Sequence, residues 1–184
     1  MDTIRVKTAF VAVFDKKSLD KFAVVLKHQA VGVLATAGTA KYLKSKGVKV
    51  RSVTLGFDFD GRVKSLDRKN FAAILADKSK KKHLAELKKL KISPIDAVIV
   101  DLYKPQKKWF VESMDIGGQA LIRAAVKNFQ NVAVAFDAKS IDDLRWELTK
   151  NKGLTALTFR KKQAAKALKF IATRSSLEVK LFGK

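Results

Sequence analysis

The chain has 184 residues, 47% hydrophobic and 30% charged, with 9 glycines, 2 prolines and no cysteine. That length and apolar content support one domain with a real core and argue against a disordered chain; no run approaches the roughly 20 uninterrupted apolar residues of a membrane span. Without cysteine there are no disulfides, thiol nucleophiles or Cys-based zinc sites, and the N-terminus lacks the apolar core of a secretion signal, so a soluble, cytoplasmic protein is expected.

The charge is strongly positive: 39 Lys+Arg against 17 Asp+Glu, a formal net charge of +22. Such a field attracts anions, whether nucleotides, nucleic acids or acidic surfaces. The densest run is Lys78-Ser79-Lys80-Lys81-Lys82-His83, continued by Lys88, Lys89 and Lys91. Basic residues are spread over the whole length and few aromatics interleave with this run. It therefore reads as a solvated helix face in preference to a nucleic-acid patch.

In chain order, residues 8–14 (TAFVAVF) form a short apolar, β-branched run and predict a buried strand. Ser18 is placed to cap a helix whose face carries Leu19, Phe22, Val25 and Leu26. Residues 32–34 predict a second strand, running through Thr36-Ala37-Gly38-Thr39 into a helix that includes Tyr42 and Leu43 and stops near Gly47. Residues 48–53 resume a strand pattern. Residues 54–70 have no clear period and read as a loop, and residues 71–76 are ambiguous. Residues 78–90 predict an amphipathic helix burying Leu84, Leu87 and Leu90. A strand at 96–102 (DAVIVDL) precedes a helix at 117–128 with Leu121, Ile122, Ala125 and Val126 inward. A strand at 132–135, a helix at 140–150 and a basic helix from 155 to about 173 complete the chain. Strands alternating with helices imply a single α/β domain over residues 1–184, with a mostly parallel sheet covered on both faces. Right-handed crossovers gather the strand-to-helix loops at the carboxyl edge of that sheet, where chemistry is expected.

Four segments on that edge carry polar or small residues. Asp15-Lys16-Lys17-Ser18 follows the first strand. Thr36-Ala37-Gly38-Thr39 combines hydroxyls, a glycine and a helix N-terminus, a turn that offers N–H groups to a phosphate or serves simply as a cap. The third is Asp60-Gly61-Arg62-Val63-Lys64-Ser65. The fourth joins Asp101-Leu102-Tyr103 to Met114-Asp115-Ile116-Gly117-Gly118, where the paired glycines let a backbone approach a ligand closely.

Taken together, these segments resemble the IMP cyclohydrolase domain of the bifunctional AICAR transformylase/IMP cyclohydrolase family, in the same order from about Thr8 to Ala172. The family's S-G-G-T-A is similar to Thr36-Ala37-Gly38-Thr39-Ala40, and G-R-V-K-T-L-H-P to Gly61-Arg62-Val63-Lys64-Ser65-Leu66-Asp67-Arg68. N-L-Y-P is similar to Asp101-Leu102-Tyr103-Lys104, I-D-I-G-G to Met114-Asp115-Ile116-Gly117-Gly118, and R-A-A-A-K-N to Arg123-Ala124-Ala125-Val126-Lys127-Asn128. The resemblance implies a methylglyoxal-synthase-like fold and ring closure of the FAICAR ribonucleotide to IMP with loss of water, in purine biosynthesis.

It further implies a catalytic cluster of Lys64, Tyr103, Asp115 and Lys127, with Asp115 and Lys127 acting as a coupled pair. Lys16, Thr36, Gly38 and Thr39 would hold the 5′-phosphate, and Arg62, Ser65, Asp101, Ile116 and Gly117 would line the base. No metal or organic cofactor is implied. The chain departs from the family at several points. In the S-V-S-D-K-T-G loop the second serine is Phe14, and Lys17-Ser18 replace threonine-glycine. The base-contacting asparagine is Asp101, and two family histidines are Asp67 and Phe129. No transformylase region follows, so FAICAR would come from a separate transformylase. The alternative readings are a non-catalytic purine-nucleotide-binding relative and a basic nucleic-acid-binding protein on this fold.

Overall fold

The computed structural model describes residues 2–53 and 65–183. Its main sheet is built from β2 (Thr8–Ala12), β3 (Gly32–Thr36), β4 (Val50–Val53), β5 (Ala97–Val100) and β6 (Ala133–Ala135), in the order β4-β3-β2-β5-β6. All four pairings are parallel. The helices are α1 (Asp20–His28), α2 (Ala37–Ser45), α3 (Arg68–Leu75), α4 (Lys81–Lys89), α5 (Ile116–Lys127), α6 (Ala138–Lys150) and α7 (Leu157–Phe182). This is the expected α/β architecture. Among the described residues no helix is long and apolar enough to cross a membrane.

Two cores flank the sheet, and strand alternation feeds them. Ala9, Val11, Ala97, Ile99, Ala133 and Ala135 point into one, against Phe22 and Leu26 of α1, Leu43 of α2 and Leu144 of α6. Phe10, Val98, Val100, Val134 and Phe136 point into the other, against Ile74 of α3, Leu121 and Ile122 of α5 and Ile171 of α7. Both faces being covered explains why β2 and β5 read as continuous apolar runs and not as alternating ones.

Several local expectations are corrected. Ser18 does not cap α1: a short 3-10 turn (Lys16–Leu19) intervenes, and the Asp15 carboxylate caps that turn through the Lys17 N–H. Most of the 54–70 stretch lies outside the described residues, but its end already belongs to α3, where Asp67 accepts from the Asn70 N–H at 3.0 Å. Residues 71–76 are largely helical. The helix predicted from residue 78 begins at Lys81, because Lys78 turns away to pair with Asp96 and to donate to the Asn131 carbonyl at 2.8 Å. Of its three leucines only Leu87 is buried. Thr155, read as a helix start, belongs to β7 (Leu154–Ala156), which pairs antiparallel with β1 (Thr3–Arg5). The last helix runs to Phe182, past the predicted end near residue 173. Its fully buried Arg160 donates to the carbonyls of Phe129, Gln130 and Thr155, which fastens α7 across the amino end of the sheet.

Candidate functional site

The carboxyl ends of β2 and β5 converge with the N-terminus of α5 around one open cavity of about 1120 Å³. Its wall includes Phe14 and Asp15 after β2, Ser65 ahead of α3, Asp101 and Tyr103 after β5, Trp109, and Asp115, Ile116 and Gly117 at the start of α5. Six of the residues predicted for the site are therefore brought together: Ser65, Asp101, Tyr103, Asp115, Ile116 and Gly117. Arg62 and Lys64 lie outside the described residues.

Asp115 is fixed by helix geometry. It is the N-cap of α5, and its Oδ1 accepts from the Gly118 N–H at 2.7 Å. Gly118 has to be a glycine: a Cβ there would stand 2.5 Å from Leu102 Cδ2 and 2.7 Å from Asp115 Oδ1. Gly117 is less constrained, because a Cβ there would meet only the Ser65 hydroxyl, which can rotate away. Burial pushes the Asp115 carboxyl above the ordinary aspartate range, against the lowering effect of the Gly118 and Tyr103 N–H groups and of the Arg174 guanidinium. Tyr103 is pushed up as well, by burial first and then by the carboxylates of Asp115 and Asp101, so its phenol keeps its proton at neutral pH. A carboxylate made more basic beside a phenol that stays protonated is an acid–base pair in one cavity.

Asp101 has a different task from the one expected. Its two carboxylate oxygens accept from the backbone N–H groups of Phe14 and of Asp15, the latter at 2.9 Å. It clamps the loop after β2, which occupies both oxygens and accounts for an acceptor-only side chain at this position. Burial nonetheless raises its pKa, opposed by those two N–H groups and by Lys16.

Next to this clamp lies the second half of the site. The Lys16 ammonium donates to the carbonyls of Val13 (2.6 Å) and Phe14 (3.1 Å), and its Cε lies 3.9 Å from where a Gly38 Cβ would be. It therefore stands over the first turn of α2. The N-cap Thr36 makes no side-chain cap bond to that helix, so its side chain satisfies none of the first-turn N–H groups. A cation beside a helix N-terminus is an anion cradle. Thr39 is 1% exposed, and its hydroxyl donates to the Val13 carbonyl while accepting from the Val13 N–H and the Thr36 hydroxyl. Its hydroxyl builds the cradle, and only its backbone N–H is left to grip an anion.

Lys127 is not part of this assembly within one chain. Asp115 caps the start of the 12-residue α5 and Lys127 ends it. At 1.5 Å per residue the two are about 18 Å apart, beyond the reach of a lysine side chain. The pairing of Asp115 with Lys127 is thus corrected: among the described residues the cation that acts on Asp115 is Arg174 of α7, which donates to the Leu102 carbonyl at 3.5 Å. Nothing in the local pattern around residue 174 announces this role, because α7 comes beside the residues after β5 only through tertiary packing, on both α5 and β6. Among the described residues no trio of His, Asp or Glu side chains is placed to hold a metal ion.

Comparison with known proteins agrees with this geometry. The chain is 38% identical over 179 residues to the bifunctional purine biosynthesis protein PurH of Clostridium acetobutylicum, covering 91% of this chain and 36% of that protein. It is 39% identical over 178 residues to PurH of Brucella anthropi, covering 90% and 33%. The chain thus spans about a third of the length of these relatives. The crystal structure of ForH superposes with a TM-score of 0.85 at 29% identity, covering 96% of both chains. The model of the MGS-like domain family matches residues 18–130, and with the five-stranded parallel sheet this places the chain in that family: it is an MGS-like domain.

Proposed function

We propose that the chain is an IMP cyclohydrolase, closing the formamide and carboxamide of FAICAR into the pyrimidine ring of IMP. The observation that carries this reading is the juxtaposition of the Asp115–Tyr103 pair with the Lys16–α2 anion cradle, one fitted to the reacting groups of a purine precursor and the other to its 5′-phosphate. Identity of 38–39% to PurH over most of this chain supports a purine nucleotide as the ligand.

The chemistry asks little beyond placement and proton transfer. The carboxamide nitrogen attacks the formyl carbon and loses one proton, and the formamide nitrogen loses the other. The formyl oxygen leaves with both as water. Both reacting groups sit on one molecule, so holding the productive rotamer supplies much of the rate. Asp115 accepts the amide proton, a task suited to a carboxylate whose basicity burial has raised. The Tyr103 phenol donates to the formyl oxygen as charge develops there. Lys64, the residue before Ser65, would add a cation on the same oxygen. Ser65, Ile116 and Gly117 would line the ring, and the Thr36 and Gly38 turn with Lys16 would hold the phosphate.

The position of Lys127 and the use of Asp101 as a loop clamp favour one alternative, a purine-nucleotide-binding relative without turnover. The test is to incubate the purified protein with FAICAR and follow IMP formation, with Asp115→Asn as the control. Turnover that falls on the order of 100-fold or more in the variant is the expected result. Saturable IMP binding without any turnover would instead support the binding-only relative.

A further inference from the structure

We propose that Phe14 is a ligand-contacting residue, which with Tyr103 forms an aromatic corner that stacks the planar heterocyclic base of a nucleoside monophosphate. The inference rests on the nucleotide reading of the site and adds a residue to it. Phe14 lines the cavity and adjoins the Lys16 cradle. Its N–H is held by the Asp101 carboxylate and its carbonyl by the Lys16 ammonium. These bonds fix the backbone from which the ring projects.

The ring is 61% exposed even so, and lines the cavity. Its centroid is 5.3 Å from that of Tyr103, itself 39% exposed, with the planes at 80°. An edge-on pair of this kind leaves ring surface free for a third flat partner. A large apolar side chain exposed to a cavity and beside an anion cradle is unfavourable surface until a planar ligand covers it. Aromatic stacking is tolerant of base identity, so this contact favours flat heterocycles as a class and discriminates against the bare sugar phosphate.

The experiment is a calorimetric titration of wild type, Phe14→Ala, Phe14→Ser and Phe14→Trp with IMP and, separately, with ribose 5-phosphate. Both small variants are expected to weaken IMP binding by about 3- to 30-fold, with Phe14→Trp retaining wild-type affinity. Ribose 5-phosphate should bind all four proteins equally, because the phosphate cradle is untouched. The melting temperatures should stay together, since most of the side chain is already exposed. If wild type binds IMP and Phe14→Ala binds it equally tightly, the stacking role is wrong and the nucleotide reading survives. If wild type binds no IMP, both fall.

Discussion

Gly118→Ala is the substitution whose outcome the geometry determines most sharply. The added methyl would lie 2.5 Å from Leu102 Cδ2 and 2.9 Å from Asp115 Cγ. Either neighbour can give way only by leaving its present contacts: Leu102 is 6% exposed and packed in the core between β5 and α5, and Asp115 is held by its bond to the residue being changed. Overpacking of this kind costs about 1–3 kcal/mol, and displacing the N-cap adds about 1 kcal/mol. The sum, about 2–4 kcal/mol, corresponds to a fall of about 4–16 °C in melting temperature for a domain of this size. Asp115→Ala removes the cap without the wedge and should cost only about 2–4 °C. Differential scanning calorimetry on the two variants gives the comparison directly. A Gly118→Ala protein that melts with wild type, or above Asp115→Ala, would refute the claim that Asp115 is positioned by the absence of a side chain at residue 118.

Other expectations follow from the same contacts. Asp115→Asn should cut turnover on the order of 100-fold or more while leaving IMP affinity, read by titration, within a few-fold of wild type. Because burial raises the Asp115 pKa in the folded state, its contribution to stability is present at acid pH and is lost as pH rises through the raised value. The melting temperature of Asp115→Asn should therefore gain on wild type between pH 4 and pH 7, and a constant difference would contradict the shift. The rate itself should fall on acidification at a pH above the ordinary aspartate value of about 3.9, since the basic form is the active one; a flat profile down to that value would exclude Asp115 as the base. Thr39→Val should cost about 1–3 kcal/mol by orphaning the buried Val13 N–H. Chemical denaturation measures that loss, and an unchanged midpoint would show that the Thr39 hydroxyl is not structural.

Much of the fold was legible in the sequence for a specific reason. Strands buried on both faces, such as residues 8–12 and 97–100, are apolar throughout, and their runs stand out between amphipathic helices. The β1–β7 pair was not legible, because three-residue strands joining distant parts of the chain leave no periodic trace. Lys78 was read into a helix because its ion pair with Asp96 spans two elements. Within the site, motif order found the loops, and Asp115, Tyr103 and Ser65 do share a cavity. Motif order misled at Lys127, where helical rise alone separates it from Asp115 by three turns. Asp101 looked like a ligand contact because its part in holding the β2 loop, 86 residues earlier in sequence, depends on the parallel pairing of β2 with β5. Arg174 depends in the same way on where the long last helix lands.

The functional argument comes down to where on the molecule a purine monophosphate binds. Hydrogen–deuterium exchange of the protein with and without saturating IMP measures this directly. The account predicts protection confined to the carboxyl edge of the sheet: residues 14–16, the first turn of α2, and residues 101–118. Protection centred on the amino edge around Lys127, or none at all under saturating nucleotide, would contradict it.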